Sequence, residues 1–422
     1  MVEVAPGKIS RAPYGWAPLV VLFIVGLVDR IEFNLLSGVL PYIQAEWSLT
    51  DTQAGAIPTV SALAAIVVAV PAGLIADRGK RTRILAIVVF TWALATLGSG
   101  LATGFAMFFA MRIFLAAAEN IDNPAAGSLL ADYYPPVTRA KAYGLTRVTT
   151  YLGGVGTILG GVLAEMFDWR NAFLIMVVPG LVTAWLCLRM REPERGGLDR
   201  LVAGTSPAPQ AVAPATFGQV LRIPTLLVVS IGLALLTLGL AGIFFWLPSL
   251  MVRSFGLGTA SASSIAGLIT IVGPVLGTLI GSRLGGRWHG TIKGGRLLAG
   301  GGGIALGSLV LAAALAMDSL LWLSLLTGLA CTLMSIAIPN MTASLADVVG
   351  ANARGRGFAV LQLLTTAGGA FGSLIVGRVS ESTGSLTVGM YALIAPMVVG
   401  GLITLAARGS FERDAAKVLA NA

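Results

Sequence analysis

Twelve apolar stretches follow one another along this chain, near residues 16–37, 53–76, 83–102, 105–131, 142–165, 171–190, 225–250, 259–282, 295–316, 319–346, 355–379 and 386–407. Each is long enough to cross ~30 Å of hydrocarbon as a helix. In lipid the backbone must satisfy its own hydrogen bonds, so spans of this kind fold as helices. Composition agrees: the 422 residues are 56% hydrophobic and 11% charged, with a mean hydropathy of +0.87. A soluble domain is not built this way; a polytopic membrane protein is. Met1 to Gly15 is polar and short, and no small-residue cleavage pattern follows the first apolar run, so no cleaved signal peptide is expected. Cys187 and Cys331 both lie in apolar stretches and suggest neither a disulfide framework nor a metal site.

An even number of spans puts both termini on one side. One set of connections holds most of the basic residues, among them Arg78, Lys80, Arg81, Arg83, Arg139, Arg189, Arg287 and Arg354. The opposite set holds only Arg170 and Arg253, with Arg378 close to that surface. The positive-inside rule makes the first set, with both termini, cytoplasmic in a bacterial-type inner membrane. The net charge of +9 is then topology signal plus contact with anionic membrane lipids, and no nucleic-acid partner is needed to explain it.

Residues 191–224 form the longest polar stretch and contain five prolines, which reads as a flexible cytoplasmic linker. It separates residues 1–190 from 225–422, and these halves echo each other. Leu40-Pro41 ends the first span and Leu247-Pro248 the seventh, 207 residues apart, each before a short polar loop and a small-residue-rich helix. The expected fold is an all-α membrane protein of twelve transmembrane helices. Its two six-helix bundles are related by a pseudo-two-fold axis along the membrane normal, with a site between them at the midplane.

Among the ionisable residues inside spans, four stand out: Asp29 and Arg30 in the first, Arg112 and Glu119 in the fourth. A charge at mid-membrane costs roughly 2.5–3.5 kcal/mol on insertion scales, so such groups face a cavity and pair with one another. Arg112 and Glu119 are seven apart, on one helix face and about 10 Å apart along the axis. Each is better placed to reach Asp29 or Arg30 than its own neighbour. Burial disfavours an ionised carboxylate and a guanidinium favours it. If an arginine leaves Glu119 in one conformation, Glu119 takes a proton there and loses it in the other. These four residues are therefore the expected proton-coupling set, and the freed guanidinium can bind an anionic headgroup. The bland alternative is a permanent salt-bridge cluster joining spans one and four. Glu32, Asn34, Asp122 and Asn123 extend the polar face.

The second half has no matching charges. Its cavity candidates are Trp246, Ser249, Asn340, Thr342, Ser344, Gln362 and Thr365. A cavity charged on one side and apolar on the other suits an amphipathic solute with an ionic head. His289, the sole histidine, falls in a basic loop, so no histidine relay is expected. An enzyme is not expected either: there is no nucleophile elbow, metal-ligand cluster or phosphate-cradling loop.

Gly73-Leu-Ile-Ala-Asp77-Arg78-Gly79-Lys80-Arg81 between spans two and three resembles the loop signature of the major facilitator superfamily, departing from it at Lys80. Asp132 at the end of span four, Trp169-Arg170-Asn171 and Arg191-Glu192-Pro193 resemble other superfamily positions. The resemblance implies a cytoplasmic gate of Gly73, Asp77, Arg78, Arg81 and Asp132, a monomer, and no cofactor beyond protons as the coupling ion.

Within the superfamily, Val28-Asp29-Arg30 with Gly38-Val39-Leu40-Pro41, Arg112 with Glu119, Phe245-Trp246-Leu247-Pro248 and Phe358-Ala359-Val360-Leu361-Gln362 are similar to the Spinster family of lysophospholipid and sphingolipid transporters. That implies proton-coupled or proton-gated movement of a single-chain amphipathic lipid. Organic anion:proton symporters also carry Asp-Arg in span one and the Arg-to-Glu pair in span four, with a proline five after the glutamate, as Pro124 stands here. A drug:proton antiporter and an uncoupled lipid scramblase complete the alternatives.

Overall fold

The computed structural model describes residues 12–195, 198, 217–350 and 353–420, with all their side chains except those of 69–78, 120, 121, 123, 124, 136, 137, 140, 419 and 420. Every regular element among the described residues is a helix. The first half holds α1 (Ala17–Trp47), α2 (Asp51–Arg78), α3 (Arg81–Gly100), α4 (Phe105–Tyr133), α5 (Pro136–Arg147), α6 (Gly154–Met166) and α7 (Trp169–Arg189). The second holds α8 (Pro224–Phe255), α9 (Thr259–Trp288), α10 (Gly295–Leu315), α11 (Leu320–Ser335), α12 (Ala337–Val348), α13 (Arg354–Thr383), α14 (Leu386–Tyr391), α15 (Ile394–Ala406) and the polar α16 (Arg408–Ala420). Three spans are broken into two pieces: α5 with α6 across the 3-10 turn Val148–Gly153, α11 with α12, and α14 with α15.

Nine spans among the described residues qualify for membrane crossing by length and hydropathy alone. The other three have physical reasons for falling short. α1 and α4 carry the charges picked out above, and α5–α6 is interrupted by the 3-10 turn Val148–Gly153.

Local signals set the helix ends. Thr50 and Gln53 form a reciprocal capping box at the start of α2: Gln53 N donates to Thr50 Oγ1 at 3.2 Å and Thr50 N to Gln53 Oε1 at 3.0 Å. Pro224 opens α8, and Gly256 closes it in the left-handed region at φ 63°. The expected stops at Leu40-Pro41 and Leu247-Pro248 are not found. α1 runs on to Trp47 and α8 to Phe255. Proline removes one ladder hydrogen bond, but the turns beyond it are held from outside. Trp47 packs against Phe105, Phe108 and Trp169, and Leu250 and Met251 are buried.

Close packing pairs equivalent helices. α1 lies on α6 and α8 on α13. A Cβ on Gly156 would collide with the Ile31 carbonyl oxygen, and one on Gly372 with that of Leu238. Small residues here let two backbones touch, as membrane helix packing requires where lipid tails are as apolar as leucine. Between the bundles, α2 lies against α13 and α6 against α9.

The ends of α3 and α4 are joined by an ion pair that recurs in the second half. Arg81 binds Asp132, and Arg296 binds Asp347, each pair 51 residues apart. Arg81 is fully buried and also donates to Glu192 at 2.9 Å, Ser128 Oγ at 2.8 Å and the Pro193 carbonyl at 2.9 Å. Thr82 donates to Glu192 Oε2 from its amide and its hydroxyl, both at 2.9 Å. This cluster staples α3, α4 and the segment after α7 within one bundle. Gly73, Asp77 and Arg78, expected to gate with Arg81 and Asp132, have side chains outside the described residues.

Burial alone would raise the Glu192 carboxyl, but hydrogen bonds from Thr82 and Arg81 and the Arg81 charge outweigh it and hold the group below its usual range. A lowered carboxylate stabilises the fold above its unfolded value of 4.5, and that stabilisation is lost as pH falls through the lower folded value. Glu192→Gln is therefore expected to destabilise by about 1–3 kcal/mol at neutral pH. Its melting temperature should also fall less steeply than the wild type's below pH 4.5. Parallel melting curves across that range would contradict the assignment.

Candidate functional site

A cavity of about 410 Å³ lies between the bundles. Asp29, Arg30, Phe33, Asn34 and Ser37 of α1, Pro58 and Ser61 of α2, and Arg112 and Glu119 of α4 form one wall. Phe244 and Phe245 of α8 face them, with Gln362, Thr366 and Ser373 of α13. The cavity thus has an ionic side and an aromatic, weakly polar side.

Of the two α4 residues expected to reach Asp29 or Arg30, Glu119 does so and Arg112 does not. Asp29 binds its neighbour, with Arg30 Nε 3.1 Å from Asp29 Oδ2. Arg30 remains about a third exposed to the cavity, while Asp29 is nearly covered. Glu119 faces Asp29 closely enough for the two carboxyl groups to interact, and its Oε1 is buried with no hydrogen-bond partner. Arg112 turns away from both and binds Glu32, with Nη1 2.5 Å from Oε1. Arg112 also sits 5.7 Å from the Phe173 ring centre, an attractive cation–π placement.

The remaining expected cavity residues divide. Asn34 and Gln362 line the cavity; Asn34 Nδ2 donates to the Arg30 carbonyl at 2.8 Å and Gln362 Nε2 to Thr366 Oγ1 at 3.0 Å. Glu32, expected at the cavity, is fully buried behind the wall against Arg112 and Thr96. It lies three residues after Asp29, about 60° short of a full turn, and this offset directs it to Arg112 of α4 and Thr96 of α3. Trp246 is also fully buried, and its indole donates to the Ser373 carbonyl at 2.9 Å, tying α8 to α13. Asn340 braces α12 against α9 through the Gly281 carbonyl at 2.9 Å. Asp122 is buried and is not part of the wall. The Asn123 side chain lies outside the described residues.

One feature that sequence reasoning missed ties the two bundles together. Asp51 accepts from Arg253 Nη2 at 2.6 Å and Nη1 at 2.8 Å, from Ser380 at 2.6 Å and from Gln44 at 2.9 Å. Glu165 Oε2 of α6 accepts from the Ala260 amide at the start of α9, at 2.7 Å. Glu381 Oε2 of α13 accepts from the Thr52 amide at the start of α2, at 3.2 Å. Each bundle thus caps a helix N-terminus of the other, where unpaired amides and the helix dipole favour a carboxylate. The signal was present: Arg253 is one of the few arginines on the side opposite the basic loops. The other, Arg170, is bidentate to Glu46 at 2.6 and 2.7 Å.

The model of the Major Facilitator Superfamily matches residues 22–373. The chain belongs to the Major Facilitator Superfamily. It is a multi-pass integral membrane protein of that fold. It is 27% identical to the hexuronate transporter of Bacillus subtilis over 269 residues, 63% of this chain and 62% of that protein. It is 28% identical to protein spinster homolog 1 of Homo sapiens over 286 residues, 63% of this chain and 54% of that protein. The chain thus spans less than two thirds of the length of these relatives. In fold it is similar to a solved bacterial homolog of the human lysosomal transporter Spinster, in an inward-facing and unoccupied conformation. The TM-score is 0.80 at 21% identity, covering 98% of each chain.

Breaking the clamp should loosen this contact between the bundles. Arg253→Ala or Asp51→Asn is expected to lengthen spin-label distances between the N-terminal end of α2 and the C-terminal end of α8. Unchanged distance distributions would mean that the clamp does not set this contact.

Proposed function

We propose that this protein is an alternating-access secondary transporter, proton-coupled or proton-gated, whose substrate is a lysophospholipid or a related single-chain amphipathic lipid. The observation that carries the reading is the cavity's division into an ionic wall on α1 and α4 and an aromatic wall on α8 and α13. An acyl chain suits the apolar wall; a charged headgroup suits the other. The similarity in fold to the Spinster homolog supports the same direction.

The coupling proton is assigned to Asp29 and Glu119. Two carboxyl groups in contact hold one proton between them more readily than two charges. Arg30, lining the cavity beside them, offers its guanidinium to a phosphate or carboxylate. When the ligand's anion takes Arg30, the released carboxylate takes a proton, so ligand and proton occupancy rise together. Gln362 and Thr366 opposite supply hydrogen-bonding groups. The clamp at Asp51 and Arg253 closes the extracellular side, and both termini lie in the cytoplasm of a bacterial-type inner membrane. The protein works as a monomer with protons as coupling ion and no cofactor. No catalytic chemistry is assigned to it.

A second reading is an organic anion (sugar acid):proton symporter. The hexuronate transporter relative and the cis,cis-muconate transport protein of Acinetobacter baylyi, 26% identical over 274 residues, favour it. The test is uptake in proteoliposomes of a labelled lysophospholipid, with a short sugar acid in parallel, with and without an imposed pH gradient. The proposal expects pH-dependent lysophospholipid movement, and Glu119→Gln is expected to remain folded while losing the pH dependence. Sugar-acid uptake without lysophospholipid movement would establish the second reading. Full pH dependence in Glu119→Gln would remove that residue from the coupling role.

A further inference from the structure

Among the described residues, none that lines the cavity comes from α6 or α9; the seam it follows is the one where α2 meets α13. Ala62 and Ala65 of α2, Ala241 of α8, and Gly369 and Ala370 of α13 line it there, none with a side chain longer than a methyl group. Toward the start of α2 the same two helices are closed on each other. Thr59 Oγ1 donates to the Ala370 carbonyl at 2.6 Å, and Ser373 Oγ to the Gly55 carbonyl at 3.0 Å. Three glycines of α13 divide by what a side chain would meet. A Cβ on Gly368 would lie 2.2 Å from the Ala234 carbonyl oxygen, and one on Gly372 2.0 Å from that of Leu238, so contact with α8 fixes both. A Cβ on Gly369 would meet nothing closer than the Thr237 carbonyl oxygen at 3.7 Å, an ordinary van der Waals distance. Packing does not require a glycine at 369, and inside a helix glycine is less stable than alanine.

We infer that Gly369 is a specificity-determining residue: its missing side chain keeps a slot open between α2, α8 and α13 for the apolar tail of the ligand, and so sets the tail length the cavity accepts. The inference rests on the single-chain lipid reading given under the proposed function. A tail gains by leaving water in proportion to the apolar surface it buries. A slot floored by backbone and methyl groups lets it lie deeper than the rings of Phe244 and Phe245 alone allow. Thr366 and Gln362 line the cavity about one and two turns before Gly369 on the same face of α13. The hydrogen-bonding groups and the tail slot thus follow one another along one helix face. A side chain at 369 fills the slot without moving the helices, because its Cβ has room.

The test compares dissociation constants of decanoyl and stearoyl lysophosphatidylcholine on purified protein in nanodiscs. The wild type is expected to bind the stearoyl lipid tighter. Gly369→Leu fills the slot and is expected to weaken the stearoyl lipid by about tenfold while leaving the decanoyl lipid within about twofold. Partition into the nanodisc is common to both proteins and cancels in that comparison. Gly369→Ala is expected to shift the ratio the same way by a smaller factor and to raise the melting temperature, whereas Gly368→Ala lowers it. Gly369→Ala carries the test if Gly369→Leu does not fold. A packing role for Gly369 would lower the melting temperature of Gly369→Ala or weaken both lipids equally, and either result overturns the inference. If the folded wild type binds neither lipid, the lipid reading itself fails and this inference falls with it.

Discussion

The guanidinium groups of Arg30 and Arg112, inside the spans α1 and α4, are the constraint around which the first bundle is arranged. A charge inside a span must be met by an acid or by water. Three acids on two helices answer them: Asp29 takes Arg30, Glu32 takes Arg112, and Glu119 stands between. These pairs demand that α1 and α4 be close, and Thr96 draws in α3. Removing one partner of such a pair is far worse than never having built it, because the other charge is left behind. This makes the cluster both a brace and a sensitive point for a ligand that competes for one of its members.

The second bundle repeats the frame without the charges. The same close approach recurs between α1 and α6 at Gly156 and between α8 and α13 at Gly372. The same ion pair recurs at Arg81–Asp132 and Arg296–Asp347. Where the bundles meet at the starts of α2 and α9, Glu165 and Glu381 each cap a helix of the opposite bundle. One repeated scaffold thus carries two different walls. The ionic wall suits a polar ligand group, and the aromatic wall of Phe244 and Phe245 suits an apolar one.

The spans and the side with the basic loops were legible because hydropathy over 20 residues and the placement of arginine are strong, local signals. The four membrane charges were legible for the same reason: nothing else in α1 and α4 needs them. Their pairing was not, since it depends on helix rotation. An offset of about 60° from Asp29 around α1 was enough to put Glu32 behind the wall rather than in it, as the partner of Arg112. Trp246 and Asn340 were placed in the cavity because they are polar in an apolar half, yet each satisfies a backbone carbonyl between helices. The prolines at 41 and 248 signalled helix ends, but tertiary packing of Trp47 and Met251 carried both helices further. The clamp joins Asp51 to Arg253, residues 202 apart, and no local pattern announces such a contact.

The central claim is that the α1–α4 charges form a switch rather than a fixed brace. The most direct measurement is the number of protons exchanged when ligand binds purified protein, read with a pH indicator in weakly buffered solution. A switch at Asp29 and Glu119 predicts uptake of about one proton per bound ligand near neutral pH. Saturable ligand binding with no proton exchanged across that range would contradict it and leave the cluster as a structural brace.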